Sequence, residues 1–124
     1  MSDPGPLVML KLSIQAALLS EVTPRLVAVT CGIKDSTIYL RMYVESKPTE
    51  DDLERLSVVG GQVIGDFPAP YMLDESCMSI EEGTPMMLDF WAFVRAGAST
   101  AIPEDFRLRI EKLLQSGAPI KRSE

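Results

Sequence analysis

The sequence predicts one α+β domain over residues 1–124, with element order α-β-β-α-β-β, a mostly antiparallel four-stranded sheet with helices packed on it, and a further helix at the C-terminal end. Three observations carry this. Apolar residues recur at helical spacing between Leu7 and Leu19, β-rich segments flank a turn between Arg25 and Glu45, and a helix-start signature stands at Thr49–Asp52. With 124 residues, 46% of them apolar, the chain can bury one core large enough to offset the entropy of ordering itself.

Leu7, Leu10, Ile14, Leu18 and Ala17 share one face of the first helix, with Lys11, Ser13 and Gln15 between them. This helix is expected to end near Glu21 or Val22, because the Pro24 ring crowds Thr23 out of helical geometry. Residues 1–8 read as a flexible extension. Arg25–Ile33 and Thr37–Glu45 read as a hairpin turned at Lys34-Asp35-Ser36. In its second strand Ile38, Leu40, Met42 and Val44 take one face and Tyr39, Arg41, Tyr43 and Glu45 the other, since side chains alternate with period two. The first set is the core face; the second is open.

Thr49 is placed to cap the second helix, with Asp52 three residues on and an apolar stripe through Leu53, Leu56, Val59, Val63 and Phe67. Gly60-Gly61 costs this helix about 1 kcal/mol per glycine against alanine, and reads as a place where helix and sheet come close. Pro68 and Pro70 end the helix. Tyr71–Ile80 and Thr84–Arg95 read as two more strands joined at Glu81-Glu82-Gly83, with Met86–Val94 running through the core. Asp89 within that run needs a partner such as Arg25, Arg41 or Arg95 if it is buried, and none if it faces water. At least two of Phe90, Trp91 and Phe93 are assigned to the core. Residues 98–124 read as a C-terminal helix with Phe106, Ile110, Leu113 and Leu114 along it, stopped at Gly117 and followed by a basic tail.

Composition excludes several classes of function. The chain holds 18 acids and 12 bases, and the acidity is uneven: residues up to Val94 carry 14 acids and six bases, a net of −8, whereas Arg95 onward carries six bases and four acids, a net of +2. A direct nucleic-acid binder needs a basic face, so nucleic acid is not the expected partner. Apolar runs fall far short of the roughly 20 residues that cross a bilayer, and the N-terminus lacks the basic start of a secretory signal, so a cytoplasmic protein without membrane insertion is expected. Cys31 and Cys77 sit in apolar runs outside any C-x-x-C motif and read as buried free thiols.

The chain has no histidine, which removes the commonest general base and the commonest metal ligand. With no phosphate-binding glycine motif either, the reading is of a protein that is not an enzyme and needs no cofactor or metal. The acids Glu50, Asp51, Asp52 and Glu54 lack the alternating ligands and turn glycine of a calcium loop. Two readings of them stay open: a solvated helix start favoured by the helix dipole, or a field that steers a basic partner, with Glu45, Asp66, Asp74, Glu75, Glu81 and Glu82 adding to it. Tyr39, Arg41 and Tyr43 form a second candidate docking surface, because tyrosine and arginine dominate interface energetics; their alternative is packing under the C-terminal helix.

Three segments carry a family likeness. Met9 to Pro24 with Leu26-Val27-Ala28-Val29-Thr30, the acidic Thr49-Glu50-Asp51-Asp52 start, and the Val63-Ile64-Gly65-Asp66-Phe67-Pro68 exit resemble small immunity proteins of bacterial polymorphic toxin systems, especially those of contact-dependent growth inhibition. The likeness spans about residues 9–95, with the family's start near Met9, and the extension from Gly97 departs from it. It implies a protein of the bacterial cytoplasm that binds a cognate, basic toxin domain, often a nuclease, and covers its active site or substrate groove. Tyr39, Arg41, Tyr43, Glu45, Glu50, Asp51, Asp52, Glu54, Asp74 and Glu75 are then the candidate toxin-binding residues. The competing reading is an acidic interaction adaptor or regulatory homodimer with no toxin partner.

Overall fold

The computed structural model describes residues 5–115; the predicted Gly117 stop and the basic tail lie outside them. Helix α1 spans Pro6–Leu18, so Pro6 to Val8 form its first turn and are not an extension. Proline fits there because the first helical N–H has no partner to lose. Strands β1 (Leu26–Lys34) and β2 (Thr37–Val44) pair antiparallel, from Leu26 opposite Val44 to Lys34 opposite Thr37. Asp35 and Ser36 both take positive φ, 51° and 61°, the pattern of a two-residue turn whose twist matches the strands.

Helix α2 (Glu50–Gly65) carries the chain back, and β3 (Met72–Ser79) therefore runs parallel to β2, from Thr37 beside Met72 to Val44 beside Ser79. A tight hairpin can join only antiparallel neighbours, whereas a helical crossover such as α2 lets the next strand start from the same end. Strand β4 (Phe90–Val94) pairs antiparallel with β1 on the opposite edge, giving the order β3-β2-β1-β4. The α+β class and the α-β-β-α-β-β order with a C-terminal helix, α3 (Glu104–Gln115), are as expected. The sheet, however, is mixed: two pairings are antiparallel and one is parallel.

The expected long last strand is also shorter. Residues 84–89 are irregular and cross the sheet face away from α1 and α2, with Pro85 and Met87 the buried positions of the segment. The apolar run Met86–Leu88 owes its character to covering that face, which period-two reading cannot tell from a strand.

The main core lies between the helices and the sheet. Leu10, Ile14, Ala17 and Leu18 of α1 and Leu56, Val59 and Val63 of α2 pack on Val29, Cys31, Ile38, Leu40, Met42 and Val44. The predicted core face of β2 is thus buried at every position. Phe90 and Phe93 join this core, while Trp91 packs on the far side with Val27, Ala28 and Tyr43. Gly60 earns its place: a Cβ there would stand 2.1 Å from the Glu75 carboxylate and 2.9 Å from Leu73 of β3. Gly61 meets nothing within 4 Å, so the close approach belongs to one glycine of the pair.

Candidate functional site

The alternation of β2 places Tyr39, Arg41 and Tyr43 on the sheet face away from α1 and α2, in register with Asp74, Ser76 and Met78 of β3. Arg41 ties the two strands together. Its Nη1 lies 3.0 Å from Asp74 Oδ1 and donates to the carbonyls of Asp74 at 2.8 Å and Leu40 at 3.0 Å, while its guanidinium lies 5.8 Å from the centre of the Tyr39 ring. A long cation held by three oxygens and an aromatic face loses little further freedom on binding a partner. Met72, at the start of β3, is 66% exposed.

Tyr39 also lines a mostly apolar groove of about 480 Å³, together with Gly32, Ile33, Lys34, Met86, Met87, Leu88, Asp89 and Pro103. Side chains of β1 build its wall. Thr30 Oγ1 accepts the Leu88 N–H at 2.8 Å and donates to the Phe90 carbonyl at 2.7 Å. The exposed Asp89 carboxylate accepts the Ile33 N–H at 2.9 Å, so its partner is backbone and not an arginine. It reaches β1 because residue 32 is glycine; a Cβ there would stand 3.0 Å from Asp89 Oδ2.

The acidic cluster lies elsewhere. Glu50, Asp51 and Glu54 are exposed on α2, on the helix side of the sheet. Asp51 pairs with Arg55 at 2.8 Å, and Arg55 reaches Glu21 at 3.3 Å. The ten candidate residues therefore divide between two opposite faces, and no flat partner surface covers both.

Four of the ten are set aside by their surroundings, Asp52, Tyr43 and Glu75 by burial or part-burial and the exposed Glu45 by an ion pair. Asp52 is 3% exposed; its carboxylate accepts the Thr49 N–H at 2.9 Å in a capping box and two donors of Arg25 at 2.9 and 3.1 Å. Burial works to raise its pKa, yet the hydrogen bonds from Arg25 and Thr49 and the charge of Arg25 outweigh burial and hold it below its ordinary value. Its pattern of spacing marked a helix cap, and the cap is what it serves. Tyr43 is buried beneath the 84–86 segment, with its hydroxyl 3.4 Å from the Met86 nitrogen, so a cover other than the C-terminal helix accounts for it. Glu45 pairs with Arg95. Glu75 points to the helix side against Gly60, where burial pushes its carboxyl above the ordinary range.

Tyr39, Arg41 and Asp74 remain together as one surface, and Glu50, Asp51 and Glu54 as another. Sequence reading missed Met72, Met86 and Leu88, which join the first; their only signal was apolar character, shared with the whole core. Among the described residues no three His, Cys, Asp or Glu side chains gather to hold a metal ion, and no helix is long and apolar enough to cross a membrane.

A family model described as MafI2 immunity protein matches residues 8–97. The chain belongs to the MafI2 immunity protein family. The match runs from the first turn of α1 through β4, so the MafI2 domain contains both candidate faces, and α3 stands beyond it. The resemblance to polymorphic-toxin immunity proteins stands, while the family description says nothing of contact-dependent delivery. No curated protein matches the chain.

Proposed function

We propose that this MafI2-family chain neutralises a cognate bacterial toxin domain in the cytoplasm by binding it and covering its active site or substrate groove. Membership of an immunity protein family carries the reading. The toxin is expected to be a nuclease with a basic groove, because the body of the chain up to Val94 carries a net charge of −8, which attracts a basic partner at long range. The inhibition is steric and electrostatic and uses no chemistry of the chain's own.

The contact surface is the open sheet face. Tyr39 and Arg41 are its anchors, of the residue types that dominate interface energies, and Asp74 with Met72 borders them. The acids Glu50, Asp51 and Glu54 belong to the opposite face and serve solubility and the α2 dipole.

The test is co-expression with the toxin domain encoded beside this chain, followed by copurification and a nuclease assay on the complex. Copurification with loss of nuclease activity is expected. A toxin domain that neither copurifies nor loses activity would favour the adaptor reading.

A further inference from the structure

The two edges of the sheet differ. Strand β4 is short, its register with β1 shifts, and Gln15 Nε2 of α1 donates to the Ala92 carbonyl at 2.8 Å. Strand β3 runs eight residues beside β2 without a shift. The Met72 N–H donates to the Ser36 carbonyl at 2.9 Å, which sets the phase of the ladder: Met72, Asp74, Ser76 and Met78 turn their backbone groups to β2. Those of Leu73, Glu75 and Cys77 therefore point out of the edge, and among the described residues nothing bonds them there. Met72–Ser79 holds no proline, lysine or bulge to blunt the edge; its one guard is Glu75, turned inward. Helical spacing sets Leu53 on the side of α2 that carries Gly60 over β3, and Leu53 is 50% exposed, an apolar roof above the space where a further strand would lie.

Charge selects the occupant. From Met72 to Glu82 the chain carries four acids, Asp74, Glu75, Glu81 and Glu82, and no base. Arg41 pairs with one of them, yet the Asp74 side chain stays 51% exposed, and Glu81 and Glu82 are exposed. A second copy would bring the same acids: two β3 strands paired antiparallel about their centre set Glu75 against Glu75, and like charges directly opposite destabilise a pair. A basic strand meets no such cost. We propose, on the reading that a toxin domain is the partner, that the toxin adds an extended segment of its own to the free edge of β3 as a fifth strand, carrying Lys or Arg beside Asp74, Glu81 and Glu82. Backbone hydrogen bonds to Leu73, Glu75 and Cys77 supply affinity, and alternate side chains of the added strand supply specificity.

Amide hydrogen exchange resolved by NMR on the full-length chain, free and with the adjacent toxin domain, tests this. The Leu73, Glu75 and Cys77 amides should exchange fast in the free chain and slow by roughly tenfold or more in the complex, while those of Asp74, Ser76 and Met78 stay slow in both. A complex that forms without slowing them overturns the added strand and leaves toxin neutralisation standing; failure to form a complex sinks both. Outward amides already slow in the free chain overturn it as well, since the edge is then occupied without toxin. Proline is tolerated where a strand N–H faces outward, so Glu75→Pro removes one donor from the edge. It should weaken toxin binding roughly tenfold, whereas Glu75→Gln, which keeps the N–H, should weaken it less than about threefold. Equal losses would assign the effect to the carboxylate and overturn the backbone pairing. If Glu75→Pro does not fold, the exchange measurement decides alone.

Discussion

Asp51 and Asp52 are adjacent acids in the first turn of one helix, yet their removal should differ greatly. Asp52→Ala takes away the acceptor for the Thr49 N–H, a capping loss of about 1 kcal/mol. It also removes a buried acceptor of charge-assisted hydrogen bonds, about 1.5–3 kcal/mol by the general range. Because Arg25 keeps a third of its side chain in water and recovers hydration, the low end applies, and the sum is about 2.5 kcal/mol. For a domain of this size that lowers Tm by roughly 10 °C. Asp51→Ala changes an exposed side chain and should stay within about 0.5 kcal/mol of the parent.

Urea unfolding followed by Trp91 fluorescence reads both. The pH dependence supplies a second check. A carboxyl whose folded pKa is depressed stabilises the fold above its unfolded value, 3.8, and that contribution disappears as pH falls through the folded value. The stability gap between the parent and Asp52→Asn should therefore be constant from pH 5 to neutrality and narrow below about pH 4. Equal losses for the Asp51 and Asp52 variants, or a gap indifferent to acid, would refute the assignment of Asp52 to the fold.

Two further outcomes follow from burial. Glu75 has a raised pKa, so the sign is opposite: its charged form is disfavoured in the fold, and Glu75→Gln should stabilise the protein at pH 7 but not near pH 3, as measured by thermal melting. Burial pushes the Cys31 thiol up to about 12 and the half-buried Cys77 thiol up to about 11, so iodoacetamide at neutral pH should leave Cys31 unmodified in the folded protein and modify both after denaturation. Rapid native alkylation of Cys31, read by peptide mass, would show that the core opens locally.

Where local chemistry decides an element, the sequence was legible. The Thr49–Asp52 signature became a capping box, and the alternation of Ile38 to Val44 became a buried face. Partnership across the chain was not legible. Nothing local to Tyr71–Ile80 says that its neighbour is parallel, because direction follows from the path of α2. Met86–Leu88 reads the same whether it sits in a ladder or lies over one, and only Thr30 and Gly32, a hydroxyl and a missing Cβ some 58 residues away, distinguish the two. The candidate site failed in the same manner: Asp52 and Tyr43 had the right chemistry for a surface, but long-range partners at Arg25 and Met86 had already taken them.

The separation of the two faces turns the choice of docking surface into a question about rates. At physiological salt the Debye length is about 8 Å, while an α-helix with its side chains is about 10–12 Å across. Exposed acids on the outer side of α2 are thus screened from a partner landing on the far side of the sheet, whereas Asp74 stands within that surface. If the toxin docks on the open face, Asp74→Lys should slow association by roughly threefold or more at low salt, and Tyr39→Ala should speed dissociation without slowing association. Asp51→Lys should then change the association rate less than Asp74→Lys does, and both effects should shrink as salt is raised from low to physiological, that of Asp51→Lys proportionally faster. Stopped-flow mixing with the toxin domain measures all three. The opposite order, with Asp51→Lys the slower and Tyr39→Ala silent, would move the interface to α2 and leave Tyr39 and Arg41 with the structural task of clamping β2 to β3.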